Sequence, residues 1–150
     1  MKTSIFAAIA FTVAAAGPLF AEGHVATGDA EVGETKFNRQ CIACHVVADA
    51  DGNVLAGRNA RTGPNLYGIA GRELAAVDGF RYGDAIVALG ATGAVWTEAD
   101  FVSYVQDPTG WLREELDDGR ARSKMAYRVR AEEDALNMYA FLATLGVAEE

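Results

Sequence analysis

The sequence predicts an all-α fold of four to five short helices joined by long loops, and three observations carry that reading. Apolar residues recur at helical spacing in separate segments, most clearly near the end of the chain. No convincing set of paired strands is visible. The helices are also too few and too short to close a core for 150 residues. A large apolar group at the centre is therefore expected to supply the missing buried surface.

The elements follow in chain order. MKTSIFAAIAFTVAAAGPLFA has Lys2, an apolar run from Ile5 to Ala16, a Gly17-Pro18 break and a small residue at Ala21. That order is the signature of a secretory signal peptide, residues 1–21, with cleavage after Ala21. Residues 22–150 then form one domain of about 129 residues. Asp29 is a suitable N-cap for a helix through AEVGETKFNRQC, with Phe37 and Cys41 on one face and Val32 and Gly33 a turn earlier. Val46 to Gly63 lacks periodicity and reads as loop, followed by a turn in TGPNLYG. Gly79 to Leu89 holds room for a short helix. Thr97 caps EADFVSYVQD, and Pro108 either ends that helix or begins a short one through Trp111 and Leu112. Gly119 to Arg130 reads as irregular. The last helix opens on Glu132, Glu133 and Asp134, which suit the positive end of the helix dipole. It carries a broad apolar face from Leu136 to Leu145 and ends at Gly146.

Charge narrows the function. The whole chain carries −8; loss of residues 1–21 removes Lys2 and no acid, giving −9. That sign disfavours a nucleic-acid partner. Against this acidic background Arg120, Arg122, Lys124, Arg128 and Arg130 lie within eleven residues, a local basic face suited to docking. An ordinary solvated charge run is the plainer alternative.

The chemistry is concentrated in Cys41-Ile42-Ala43-Cys44-His45, which holds the only two cysteines and one of two histidines. Cys-x-x-Cys-His is the attachment signature of c-type haem. Each thiol adds to one vinyl group, and the adjacent histidine then lies beneath the iron to supply an axial nitrogen. A redox dithiol would instead be expected to open a helix after a strand. Zinc would need a second ligand pair, and no other cysteine exists. His24 lies near the expected mature terminus and reads as solvated. For the sixth iron position, Met1 leaves with the signal, so Met125 and Met138 are the sulfur candidates. Met138 falls in the helical stripe, where methionine usually fills core. Met125, in RSKMAYRV, lies outside any periodic pattern and is the expected ligand; its alternative role is to cover the haem pocket. A Met/His iron is saturated, which favours moving single electrons over turning a substrate.

With these residues in hand, the chain resembles the class I cytochromes c, most closely the soluble bacterial cytochrome c2 group. The resemblance runs from about Gly28 to Gly146 and rests on the order GETKFNRQCIACH, TGPNLYG, GFRYGDA, WTEADFVSYVQDP, SKMAYRV and the final helix. It implies the cytochrome c fold around one haem c per chain, held through Cys41 and Cys44 and ligated by His45 and Met125. It implies that Pro64 offers its carbonyl to the far nitrogen of His45. Tyr82 and Trp96 would reach a propionate with Arg72 near, and Tyr104 would lie near the Met125 sulfur. Gly33 and Phe37 would pack against Met138 and Phe141. Bottom-up, an aromatic such as Tyr82, Trp96 or Tyr104 is more often a core residue than a cofactor contact. One departure is that Gln40 stands before Cys41, where a base is common in the family. The function implied is a monomeric periplasmic electron carrier from the cytochrome bc1 complex to a photosynthetic reaction centre or cytochrome c oxidase. The competing readings are an open-iron haem protein with peroxidase-like or ligand-sensing activity, and a thiol–disulfide oxidoreductase.

Overall fold

The computed structural model describes residues 25–146; the expected signal peptide and His24 lie outside the described residues. Five helices are present among these: α1 (Ala30–Gln40), α2 (Asp84–Gly90), α3 (Glu98–Gln106), α4 (Pro108–Glu115) and α5 (Glu132–Ala143). None is long and apolar enough to cross a membrane.

The caps legible in the sequence form as expected. Asp29 accepts a hydrogen bond from the Val32 amide at 3.0 Å, and Thr97 accepts one from the Asp100 amide at 3.1 Å. Each satisfies a donor that a helix start would otherwise leave orphaned. Pro108 resolves in favour of a new helix. It occupies the first turn of α4, where its missing N–H is harmless, and Asp107 caps it by accepting from the Gly110 amide. Gly146, at φ +85°, lies just beyond α5 in the left-handed region that favours glycine.

Two expectations need correcting. The segment from Val46 to Gly63 is not all loop: β1 (Val46–Ala48) and β2 (Val54–Gly57) pair antiparallel, with an irregularity between Val47 and Ala48. Val32 is exposed at 40 %, so the buried face of α1 is Gly33 and Phe37 alone. The short helix for which Gly79 to Leu89 left room is present as α2, Asp84–Gly90.

α1 and α5 cross at close range and form the most extensive helix pair. Phe37 and Phe141 meet with ring centroids 5.7 Å apart. The nearest neighbours of Gly33 on α5 are the Asn137 backbone and Phe141. Asn137 is a buried polar residue, and its Oδ1 accepts from the Asp29 amide at 2.7 Å, tying the start of α1 to α5. The core runs on through Leu112, Val129, Met138, Tyr139 and Leu142.

Candidate haem site

α1 ends at Cys41, so the motif closes a helix and turns the chain before β1. The amides of Cys44 and His45 both donate to the Cys41 carbonyl, at 3.1 and 2.9 Å, forming the tight turn that sets both thiols and the imidazole close together. Both cysteines are half-buried, and no disulfide joins them. Burial, reinforced by the neighbouring Cys44, pushes the Cys41 thiol up to about 12. A disulfide-exchange nucleophile needs a lowered value. The raised value disfavours Cys41 as such a nucleophile, and the motif closes a helix where that reading expected it to open one after a strand. The Cys41 Sγ contacts Met138 Sδ at 3.6 Å, which places Met138 in the core beneath the motif.

His45 is oriented by a second loop. Its Nδ1 lies 2.9 Å from the Pro64 carbonyl oxygen. A carbonyl only accepts, so Nδ1 carries the proton and Nε2 keeps its lone pair. Burial lowers the imidazole pKa, partly offset by the Pro64 carbonyl, and so favours the neutral, ligating form. TGPNLYG is fixed to do this. The Gly63 amide donates to the Cys44 carbonyl at 2.7 Å. Asn65 Oδ1 accepts from the amides of Ala48 and Tyr67, and its Nδ2 donates to the Ala48 carbonyl at 2.7 Å. A Cβ at Gly63 would press on the imidazole, with Nδ1 only 2.6 Å away, so glycine is required by close approach.

The residues expected around a propionate converge from two chain segments. The Trp96 amide donates to the Arg72 carbonyl and the Gly71 amide to the Trp96 carbonyl, both at 2.9 Å. This short ladder includes the Glu73–Val95 bridge and sets Arg72 beside Trp96. The Arg72 guanidinium donates to the carbonyls of Tyr67 at 2.6 Å and Asn65 at 3.1 Å. Its Nε is buried and, among the described residues, has no partner. A buried donor left open is costly and fits an anionic group placed there. Burial lowers the Arg72 pKa; burial also raises that of Tyr82, whose phenol the nearby Arg72 charge partly steadies. Tyr82 OH accepts from the Val77 amide at 3.3 Å. Trp96 is buried, stacked on Trp111 at 5.8 Å and edge-on to Tyr104 at 5.1 Å.

Met125 lies in the irregular segment, half-buried and packed against the core. Side chains and single backbone bonds hold that segment in place of regular structure. The Tyr104 hydroxyl and Ser123 Oγ share a hydrogen bond of 2.9 Å, and Ser123 Oγ accepts from the Met125 amide at 3.0 Å. Tyr104 is thereby linked to the Met125 backbone through Ser123, and burial raises its pKa. Lys124 Nζ donates to the carbonyls of Arg81 and Tyr82 at 2.9 and 2.8 Å. Arg128 pairs with Asp107 at 2.7 Å, and the Val129 amide donates to the Val105 carbonyl. Sequence reasoning missed Ser123, Gly63, Asn65 and Asn137, whose signals are single small or polar residues without periodicity.

No family model matches the sequence. Individual relatives do. Cytochrome c2 of Rhodovulum adriaticum is 56% identical over 124 residues, covering 83% of this chain and 98% of that protein. Cytochrome c2 of Cereibacter sphaeroides is 43% identical over 148 residues, covering 98% of this chain and 99% of that one. The crystal structure of cytochrome c2 from Rhodobacter sphaeroides superposes with a TM-score of 0.78 at 45% identity, covering 81% of this chain and 99% of the other. Ferric cytochrome c-550 from Paracoccus versutus gives 0.74 at 42% identity, covering 80% and 99%. Fold and relatives together define a class I c-type cytochrome, an electron-transfer protein rather than an enzyme. Within that class, the chain belongs to the cytochrome c2 family.

Proposed function

We propose that the chain is a periplasmic electron carrier holding one haem c, exported by residues 1–21. Cys41 and Cys44 would hold the haem covalently, and His45 Nε2 and the Met125 sulfur would ligate its iron. The reading rests chiefly on His45: the Pro64 carbonyl at 2.9 Å fixes the tautomer and ring plane and leaves Nε2 alone to ligate. Arg72 Nε, with Tyr82 and Trp96, would receive a propionate. When bound, the cofactor supplies reversible one-electron chemistry at iron. The protein's share is to keep both ligands in place in both oxidation states and to exclude competing ligands. Pyridine haemochrome analysis with an intact-mass measurement checks the attachment. One haem of the c type per chain is expected, with the mass of the polypeptide plus haem and no titratable thiol. A bare-chain mass from a host competent in haem attachment would overturn it.

The partners follow from the resemblance and the charge pattern: the cytochrome bc1 complex as donor, and a photosynthetic reaction centre or cytochrome c oxidase as acceptor. Arg120, Arg122, Lys124, Arg128 and Arg130 all lie on the segment that carries Met125, and the four arginines flank it on both sides. A basic face on an otherwise acidic monomer steers toward acidic partner surfaces in short-lived encounters. The bimolecular oxidation rate by acceptor membranes is expected to fall at least about tenfold between about 0.01 and 1 M salt, as the Debye length shrinks from ~30 to ~3 Å. Arg122→Glu with Arg130→Glu should slow the reaction at low salt and converge on the parent at high salt. A rate independent of ionic strength would refute the steering.

A further inference from the structure

We propose that Tyr127 and Gln40 form a latch that closes the Met125 segment against the end of α1, making Tyr127 a positioning residue for the iron ligand. The Tyr127 hydroxyl donates to Gln40 Oε1 at 2.9 Å across 87 positions of chain. Gln40 immediately precedes the first haem-attaching cysteine, and Tyr127 stands two residues beyond Met125. The bond therefore joins the two segments that supply the cofactor's attachment and its sixth ligand.

The direction of the latch is set by a chain of partners. Lys36 Nζ pairs with Asp134 Oδ1 at 2.8 Å. The other Asp134 oxygen accepts from Gln40 Nε2 at 3.0 Å. The Lys36 bond, helped by the Gln40 bond, holds the Asp134 carboxyl below the usual carboxylate range, so it stays ionised and accepts only. The amide must then turn its nitrogen to Asp134 and its oxygen to Tyr127, which leaves the phenol as the donor. A lysine in place of Gln40 would satisfy Asp134 but offer Tyr127 no acceptor. Tyr127 is 47 % exposed, so packing alone does not fix it and the hydroxyl is its anchor.

The proposal rests on Met125 being the ligand, and the test separates the two. Imidazole competes for the sixth position of the ferric protein only when the Met125 segment swings out, so its affinity reads how often the latch opens. One hydrogen bond of ordinary strength corresponds to a rise in affinity of about three- to tenfold in Tyr127→Phe. Gln40→Ala should give a similar rise, and the double variant should bind no tighter than the tighter single. Gln40→Lys, which keeps a donor for Asp134, should match Gln40→Ala. Circular dichroism and the far-red sulfur-to-iron band should stay as in the parent throughout. Equal imidazole affinity in parent and Tyr127→Phe overturns the latch, as does strict additivity in the double variant. Absence of the far-red band from the parent overturns the Met125 reading, and the latch with it.

Discussion

Met125→Ala is expected to abolish the weak far-red band of the oxidised protein and to open the reduced iron to carbon monoxide. The reduction potential should fall by on the order of 0.1–0.3 V, a sizeable part of the ~0.8 V range that axial ligands span. The direction follows from the thioether, which raises the potential of iron relative to harder donors. The fold should survive. Met125 is half-buried within an irregular segment, and the neighbouring hydrogen bonds of Ser123 and Lys124 do not involve its side chain. Met138→Leu is the matched control. That side chain is 1 % exposed inside α5, and a volume-conserving exchange there should cost less than about 1.5 kcal/mol and leave the band intact. Redox titration and carbon monoxide difference spectra of the two variants measure this directly. A band lost in Met138→Leu and kept in Met125→Ala would reverse the assignment. Carbon monoxide binding strongly to the parent at neutral pH would instead favour the open-iron reading.

What could be read from the sequence was what depends on local chemistry. Asp29 and Thr97 cap helices because a short oxygen-bearing side chain satisfies nearby amides wherever it stands. The haem motif is similarly local, since its three functional residues lie within one turn of chain. The β1–β2 hairpin escaped because its strands are three and four residues long, partly exposed and interrupted by an irregularity, so no alternation builds up. Other features exist only once distant segments meet. Asn137 sits in an apolar stripe and looks misplaced until α1 presents the Asp29 amide to it. Gly63 reads as a turn residue, and only the imidazole beside it shows that the missing side chain is needed. Ser123 is one serine in a basic run until Tyr104, Thr109 and the Met125 amide converge on its hydroxyl and amide. The resemblance supplied the pairing of Pro64 with His45, which periodicity could not.

Gly33→Ala separates helix propensity from packing by its sign. In an exposed helix interior this change stabilises by about 1 kcal/mol, because alanine loses less backbone entropy than glycine. At Gly33 the opposite is expected. A Cβ there would collide with the Asn137 carbonyl and come within 2.9 Å of Phe141 Cβ. The obstacle is the backbone of α5, which has no flexible end to swing aside. The helices must separate, loosening Phe37 from Phe141 and stretching the 2.7 Å bond from the Asp29 amide to Asn137. The two glycines of α1's approach act together, since a Cβ at Gly28 would meet the α5 backbone at Leu136 and Asn137. We expect a loss of about 3 kcal/mol or more, at the upper end for overpacking, and a fall in Tm of about 10 °C. The consequence reaches the site, because α1 ends in Gln40 and Cys41 and any tilt displaces the attachment thiols. Gly119→Ala provides the reference: a Cβ added there would meet nothing within 4 Å, and its φ is not positive, so it should stay within about 0.5 kcal/mol of the parent. Guanidinium unfolding followed by circular dichroism reads both. A stabilised Gly33→Ala would mean that α1 and α5 do not meet backbone to backbone, and the placement of the haem motif against α5 would have to be redrawn.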